Sequence, residues 1–175
     1  MTYRCKILGD HSAYHAGSAA VWSVLTSSIA RCGMEIVDTG DFDLLVVNGE
    51  GSMHHSRPTF HRKMQFLRTA LDRGKKAYLV NSVWEANSNE YDDVLRALDG
   101  IVVREALSAE DLRRNHQIEA RVCVDLSYFA EIESSSCPDY SGQDVVSDFY
   151  SGEFQDFSRL TGGPLSKLPY IDMSA

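Results

Sequence analysis

Basic residues are scarce in this chain. Its 175 residues include 17 Lys and Arg against 25 Asp and Glu, for a formal net charge of -8. A protein that grips a nucleic-acid backbone carries a basic face. The basic pairs Lys75-Lys76 and Arg113-Arg114 read as solvated helix ends. That excludes nucleic acid as a partner. Long apolar runs are also missing, and none reaches the roughly 18 residues that a membrane span requires. No secretory leader precedes the fold: Met1-Thr2-Tyr3-Arg4-Cys5-Lys6 runs directly into Ile7-Leu8. Cys5, Cys32, Cys123 and Cys137 are widely spaced with no C-x-x-C, as expected of reduced thiols. These absences predict a cytoplasmic protein without a membrane span. Also absent are H-E-x-x-H, a Ser-His-Asp arrangement, internal repeats and low-complexity segments, so no metal and no cofactor is expected.

What is present is an alternation of short apolar runs and helical stripes. Strands are predicted at Cys5 to Leu8, Glu35 to Val37, Leu44 to Val47, Lys76 to Val80, Ile101 to Val103 and Arg121 to Val124. Between them, Val21, Trp22, Leu25 and Ile29 recur at helical spacing up to Gly33. Pro58 follows Ser56 as an early-helix proline follows a cap, and Phe60, Met64, Leu67 and Leu71 form one apolar stripe. Tyr91, Val94, Leu95 and Leu98 form another helical face. Ser108-Ala109-Glu110-Asp111 resembles a capping box for a helix running to about Asn115. Such alternation implies βαβ units. The expected fold class is α/β, with a Rossmann-like, mostly parallel sheet and helices on both faces. This domain covers residues 1–130. A linker at 131–143 follows, and then the start of an incomplete second domain at 144–175, with a strand at Asp144 to Tyr150 and a helix at Glu153 to Leu160.

The most telling stretch is Leu44-Leu45-Val46-Val47-Asn48-Gly49-Glu50-Gly51-Ser52-Met53-His54-His55. Its apolar run is too continuous for a half-exposed strand, so it reads as a central strand covered on both faces. Gly49 and Gly51 are expected to let the backbone turn sharply and approach a ligand. The stretch is a poor dinucleotide fingerprint, because a third glycine is missing and it follows the third strand.

Polar residues gather after the strands. Asp10, His11, His15 and Gly17 follow the first, and Asn48, Gly49, Glu50, Gly51, Ser52, His54 and His55 the third. Asn81, Ser82, Trp84 and Glu85 follow the fourth, Arg104 and Glu105 the fifth, Asp125 and Ser127 the sixth. A parallel sheet brings all five groups to its carboxyl edge, where ligands bind in open α/β folds. Arg104 either grips a carboxylate or phosphate in a two-pronged way or pairs locally with Glu105 or Asp125. Asp125 reads as a base or as a turn cap. Trp84 stacks on a sugar or packs. Side chains of the adjacent His54 and His55 are expected to diverge. One of them serves as a general acid or base, or both simply cap and pack.

The order Ile7-Leu8-Gly9-Asp10, Leu45-Val46-Val47-Asn48-Gly49-Glu50-Gly51-Ser52, Asn81-Ser82, Val103-Arg104-Glu105-Ala106-Leu107-Ser108 and Val124-Asp125-Leu126-Ser127 resembles the amino-terminal half of the polysaccharide pyruvyl transferase family. The resemblance covers roughly residues 5–130 and extends more weakly to Asp172. It implies the amino-terminal half of a GT-B-like fold and transfer of the enolpyruvyl carbons of phosphoenolpyruvate onto two sugar hydroxyls. The partners it implies are phosphoenolpyruvate and a sugar acceptor. Arg104 and Ser108 would hold the donor. His54 and His15 are the catalytic candidates. Asp10, His15, Gly17, Asn48, Gly49, Glu50, Gly51, Ser52, His54, Asn81, Ser82 and Asp125 would line the acceptor cleft. Two departures stand out. Glu50 sits where the family often has glycine, which favours a sugar over a phosphate at this loop. The family's later Arg-His element does not occur before Ala175, so a carboxyl-terminal half or a homodimer is expected to complete the donor site. Two other readings remain: a non-catalytic carbohydrate-binding or interaction module, and a GT-B glycosyltransferase using a nucleotide sugar.

Overall fold

The structure is a computed structural model, and it describes residues 2–9, 16–131, 142, 146–147 and 170–171. The chain divides into two compact units, one of Met1–His11 with Ala20–Ala130 and one of Ser12–Ala19 with Glu131–Ala175.

Six strands form the sheet of the first unit: β1 (Arg4–Leu8), β2 (Glu35–Ile36), β3 (Leu44–Glu50), β4 (Lys76–Ser82), β5 (Gly100–Val103) and β6 (Arg121–Val122). Their spatial order is β2-β1-β3-β4-β5-β6, and every pairing is parallel. This is a Rossmann-like α/β sheet. The order reverses between β1 and β3, which makes the crevice beyond Leu8 and Glu50 the topological switch point. The helices are α1 (Ala16–Arg31), α2 (Pro58–Asp72), α3 (Asp92–Ala97) and α4 (Ala106–Asp111).

β3 shows why its run reads as buried. Leu45 and Val47 join one apolar cluster with Phe60, Met64, Leu67, Leu79, Val94 and Leu112. Leu44 and Val46 join the other with Cys5, Ile7, Leu25 and Ile29. Successive side chains thus serve opposite faces, one covered by α2 and α3, the other by α1. Burial pushes the Cys5 thiol up to about 11, so it is a protonated core side chain.

Several local expectations need correction. β3 and β4 each run past their apolar stretch, to Glu50 and Ser82, because ladder pairing continues after hydrophobicity ends. β6 stops at Val122 rather than Val124, because its pairing with β5 ends at Val103, whose carbonyl accepts from Cys123 N at 2.9 Å. Pro58 does open α2, but Arg57 holds the cap position without a side-chain bond. The Ser56 hydroxyl accepts instead from Ser88 N. Ser108 caps nothing: α4 begins two residues earlier, and Ser108 is buried inside it. After α4 the chain widens into a π turn over Leu112–His116, ended by left-handed Gln117.

In the second unit, β7 (Val146–Ser147) pairs in parallel with β8 (Tyr170–Ile171). β7 falls within the predicted strand at 144–150. The expected helix at 153–160 and most of the expected linker lie outside the described residues.

Candidate functional site at the carboxyl edge of the sheet

A chain of amide and acid groups crosses the carboxyl edge of the sheet. Asn48, fully buried near the end of β3, donates from Nδ2 to Glu50 Oε1 at 2.8 Å. Its Oδ1 lies 3.4 Å from Asn81 Nδ2 on β4. Asn81 Oδ1 in turn accepts from Leu126 N at 3.0 Å, in the turn after β6. The row therefore joins three strand ends. Two members, Glu50 (φ 48°) and Asn81 (φ 51°), have left-handed backbones. Asn tolerates that region; Glu does so at a cost of about 1 kcal/mol or more. Asn81 sits inside a register shift between β4 and β5, so its conformation breaks the ladder and turns its amide along the edge.

The glycines act differently from expectation. Neither Gly49 nor Gly51 supplies the left-handed turn, which falls on Glu50. Gly49 is still in the strand, and a Cβ there would lie 2.4 Å from Ser82 Oγ and 2.5 Å from Ser82 Cβ. It is glycine because β4 passes too close for any side chain. Among the described residues a Cβ on Gly51 would meet Arg104 Nη2, at 3.6 Å, so the loop backbone passes beside the guanidinium.

Beneath this loop lies a residue that the sequence reading missed. Lys63 of α2 is buried, at 5% exposure. Its ammonium donates to Asn48 O at 2.7 Å, Gly49 O at 2.9 Å and Ser52 Oγ at 2.8 Å. Ser52 Oγ donates to Gly49 O at 2.9 Å. Three charge-assisted bonds thus pin the loop to the helix. A signal for this was present: Lys63 falls three residues after Phe60 and one before Met64, inside the apolar stripe, where a lysine is out of place unless its head is bonded.

Arg104, at the end of β5, pairs through Nη1 with Asp125 Oδ2 at 2.7 Å, both side chains being about one-third exposed. The local ion pair considered for it is present. Among the described residues its Nη2 has no hydrogen-bond partner. Asp125 Oδ1 accepts from Ser127 N at 2.9 Å and Ser127 Oγ at 2.7 Å. Partial burial pulls the Asp125 carboxyl upward, but the Ser127 bonds and then Arg104 outweigh it, and its pKa is lowered. So Asp125 is an ionised turn cap that orients Arg104, and the base reading loses support.

Other candidates are placed elsewhere. Ser82 is buried, and its hydroxyl donates to Val83 O at 2.6 Å. Ser108 Oγ accepts from Trp84 N at 2.8 Å and donates to Glu105 Oε1 at 2.9 Å, which engages its hydroxyl within the fold. Trp84 is a core residue, packed edge-on against Phe60. Its Nε1–H donates to His116 Nε2 at 3.2 Å, and His116 Nδ1 meets Asp92 Oδ1 at 2.6 Å. Because the indole can only donate, the ring proton of His116 is assigned to Nδ1. His54 and His55 converge rather than diverge. Left-handed His55 (φ 53°) swings its ring back, and the Nδ1 atoms approach to 3.0 Å. His54 lies opposite Glu85, past the end of β4, and its side chain joins neither Arg104 nor Glu50. Gly17 lies in the first turn of α1 instead of a loop, within the second unit. Asp10, His11 and His15 lie outside the described residues.

Among the described residues no group of three or more His, Cys, Asp or Glu is placed to hold a metal ion, and no helix is long and apolar enough to cross a membrane. A cavity of about 500 Å³ opens at the other end of the sheet, lined by Tyr3, Cys32, Met34, Leu44, Lys76 and Tyr78 among others. None of the candidate site residues lines it. No protein-family model and no curated protein matches the sequence.

Proposed function

We propose that this chain is the acceptor-sugar half of an enolpyruvyl transferase acting on a glycan or its precursor. The observation that carries the proposal is the pairing of chemistries beside Gly51: a carboxylate, Glu50, fixed by a buried carboxamide, and a guanidinium, Arg104, turned by Asp125. Carboxylate and carboxamide groups suit sugar hydroxyls, and a guanidinium suits the carboxylate of phosphoenolpyruvate. The motif order supports the same reading.

In this reaction an acceptor hydroxyl oxygen bonds to C2 of phosphoenolpyruvate, and C3 gains a proton. A second hydroxyl oxygen then bonds to C2 as the C2–O bond to phosphate breaks. Both hydroxyl protons are lost, one offsetting that gained at C3 and the other leaving with phosphate or solvent. Arg104 holds the donor carboxylate, and Glu50 orients the diol. Burying a donor with phosphate and carboxylate together takes several cationic or N–H groups. Arg104 is one of them, and a second half or a second copy supplies more.

Thermal melting with phosphoenolpyruvate and, separately, with uridine diphosphate tests the reading. A rise in melting temperature with phosphoenolpyruvate that Arg104→Ala removes supports it. A rise with uridine diphosphate alone makes the protein a nucleotide-sugar glycosyltransferase. Binding of sugars with no response to either anion makes it a non-catalytic carbohydrate module.

A further inference from the structure

The short turn after β6 displays two aromatic rings outside the core. Tyr128 is 79% exposed and Phe129 54% exposed, and the rings meet edge to face with centroids 5.6 Å apart. Their backbone is held: Tyr128 N donates to Asp125 O at 3.0 Å and Ala130 N to Ser127 O at 3.1 Å. Asp125 caps the same turn through Ser127 and is bonded to Arg104. The turn that carries the rings is therefore held a few residues from the polar edge. Tyrosine loses little rotamer freedom on binding and offers a large amphipathic face. Neighbouring carboxylate, hydroxyl and guanidinium groups add directional bonds.

A pyranose demands this combination, with a flat C–H face to lie on a ring and hydroxyls at its rim for planar polar partners. We propose that Tyr128 and Phe129 form a platform for a glycan chain, so that the acceptor is an oligosaccharide whose reacting sugar sits at Glu50 and Arg104 while the next sugars lie on the rings. This rests on the reading that the carboxyl edge receives a sugar. The rim selects chain length, and the edge holds the reacting unit.

The test is calorimetric titration of the full chain with neutral monosaccharides and their hexasaccharides from gluco-, galacto- and manno-series, repeated on Tyr128→Ala and Asn81→Gly. At least one hexasaccharide is expected to bind about tenfold tighter than its monosaccharide, and Tyr128→Ala to remove that gain while leaving the monosaccharide affinity in place. Asn81→Gly, which keeps the left-handed backbone, is expected to weaken both lengths alike. A length gain that survives in Tyr128→Ala overturns the platform and leaves the edge reading standing. Affinities unmoved by Asn81→Gly but lost in Tyr128→Ala overturn the edge reading instead. No gain with length in any series overturns the platform. Concentration-dependent dimerisation that Tyr128→Ala abolishes does so too, assigning the rings to a second copy.

Discussion

Two polar networks in this molecule use similar groups for different ends. One, Trp84–His116–Asp92, ties the core to the end of the π turn and the start of α3, with His116 at 2% exposure. Its donors and acceptors match, and its three members avoid left-handed backbone. The other, Glu50–Asn48–Asn81 with Arg104–Asp125, straddles the sheet edge, contains two left-handed residues and leaves Arg104 Nη2 unmatched among the described residues. Strain and incomplete pairing at the edge, against relaxed and completed pairing in the core, set the candidate site apart from a purely structural network.

The largest way to break the edge is Gly49→Ala. The new methyl would overlap Ser82, and the variant is expected to lose about 3 kcal/mol of stability by urea unfolding. Adding Ser82→Gly recovers part of that loss; no recovery would mean that the close approach of β4 is not the cause. Next come Trp84→Phe and Lys63→Met, each expected to cost about 2 kcal/mol by leaving buried polar atoms without their donor. Sugar affinity tells them apart: it falls in Lys63→Met, which frees the loop, and holds in Trp84→Phe. Equal losses of affinity would erase the distinction between the two networks. Glu50→Gly sharpens it from the other side. Relief of the left-handed glutamate is expected to raise stability by about 1 kcal/mol while weakening sugar binding. A fall in stability would show that the Asn48 bond outweighs the strain.

The smallest effect concerns acid. The folded Asp125 carboxyl titrates below the ordinary aspartate value of about 3.9. Its contribution is therefore fully present above that value and is lost as pH falls through the folded pKa. Melting temperature followed from neutral pH downward should decline less steeply at the acid end in Asp125→Asn than in the natural chain.

Much of the architecture was legible because β3, β4 and β5 carry apolar runs and each long helix its own stripe, whereas β2 and β6 are two residues each and rest on pairing. Gly33 and Gly74 end two of the helices as expected. Strand ends were less legible. Asn48, Glu50, Asn81 and Ser82 are polar, and only pairing with a neighbour makes them strand. The candidate site was read as a set of strand-end residues, of which Asn48 bonds to Glu50 and Asn81, and Arg104 to Asp125. Ser108 and Trp84 were ambiguous because a polar atom buried by a neighbouring segment looks, in sequence, like one offered to a ligand. Lys63 was missed because its partners are backbone carbonyls, which no residue type advertises. The His54–His55 contact accompanies left-handed backbone at His55 and Ser56, which no local pattern specifies.

Lys63 has an entropic consequence. With the carbonyls of Asn48 and Gly49 already clamped to α2, the β3 side of the crevice is shaped as the chain folds. On the proposed reading, a sugar reaching this edge meets a β3 loop whose ordering was settled on folding, so that loop adds no ordering cost to binding.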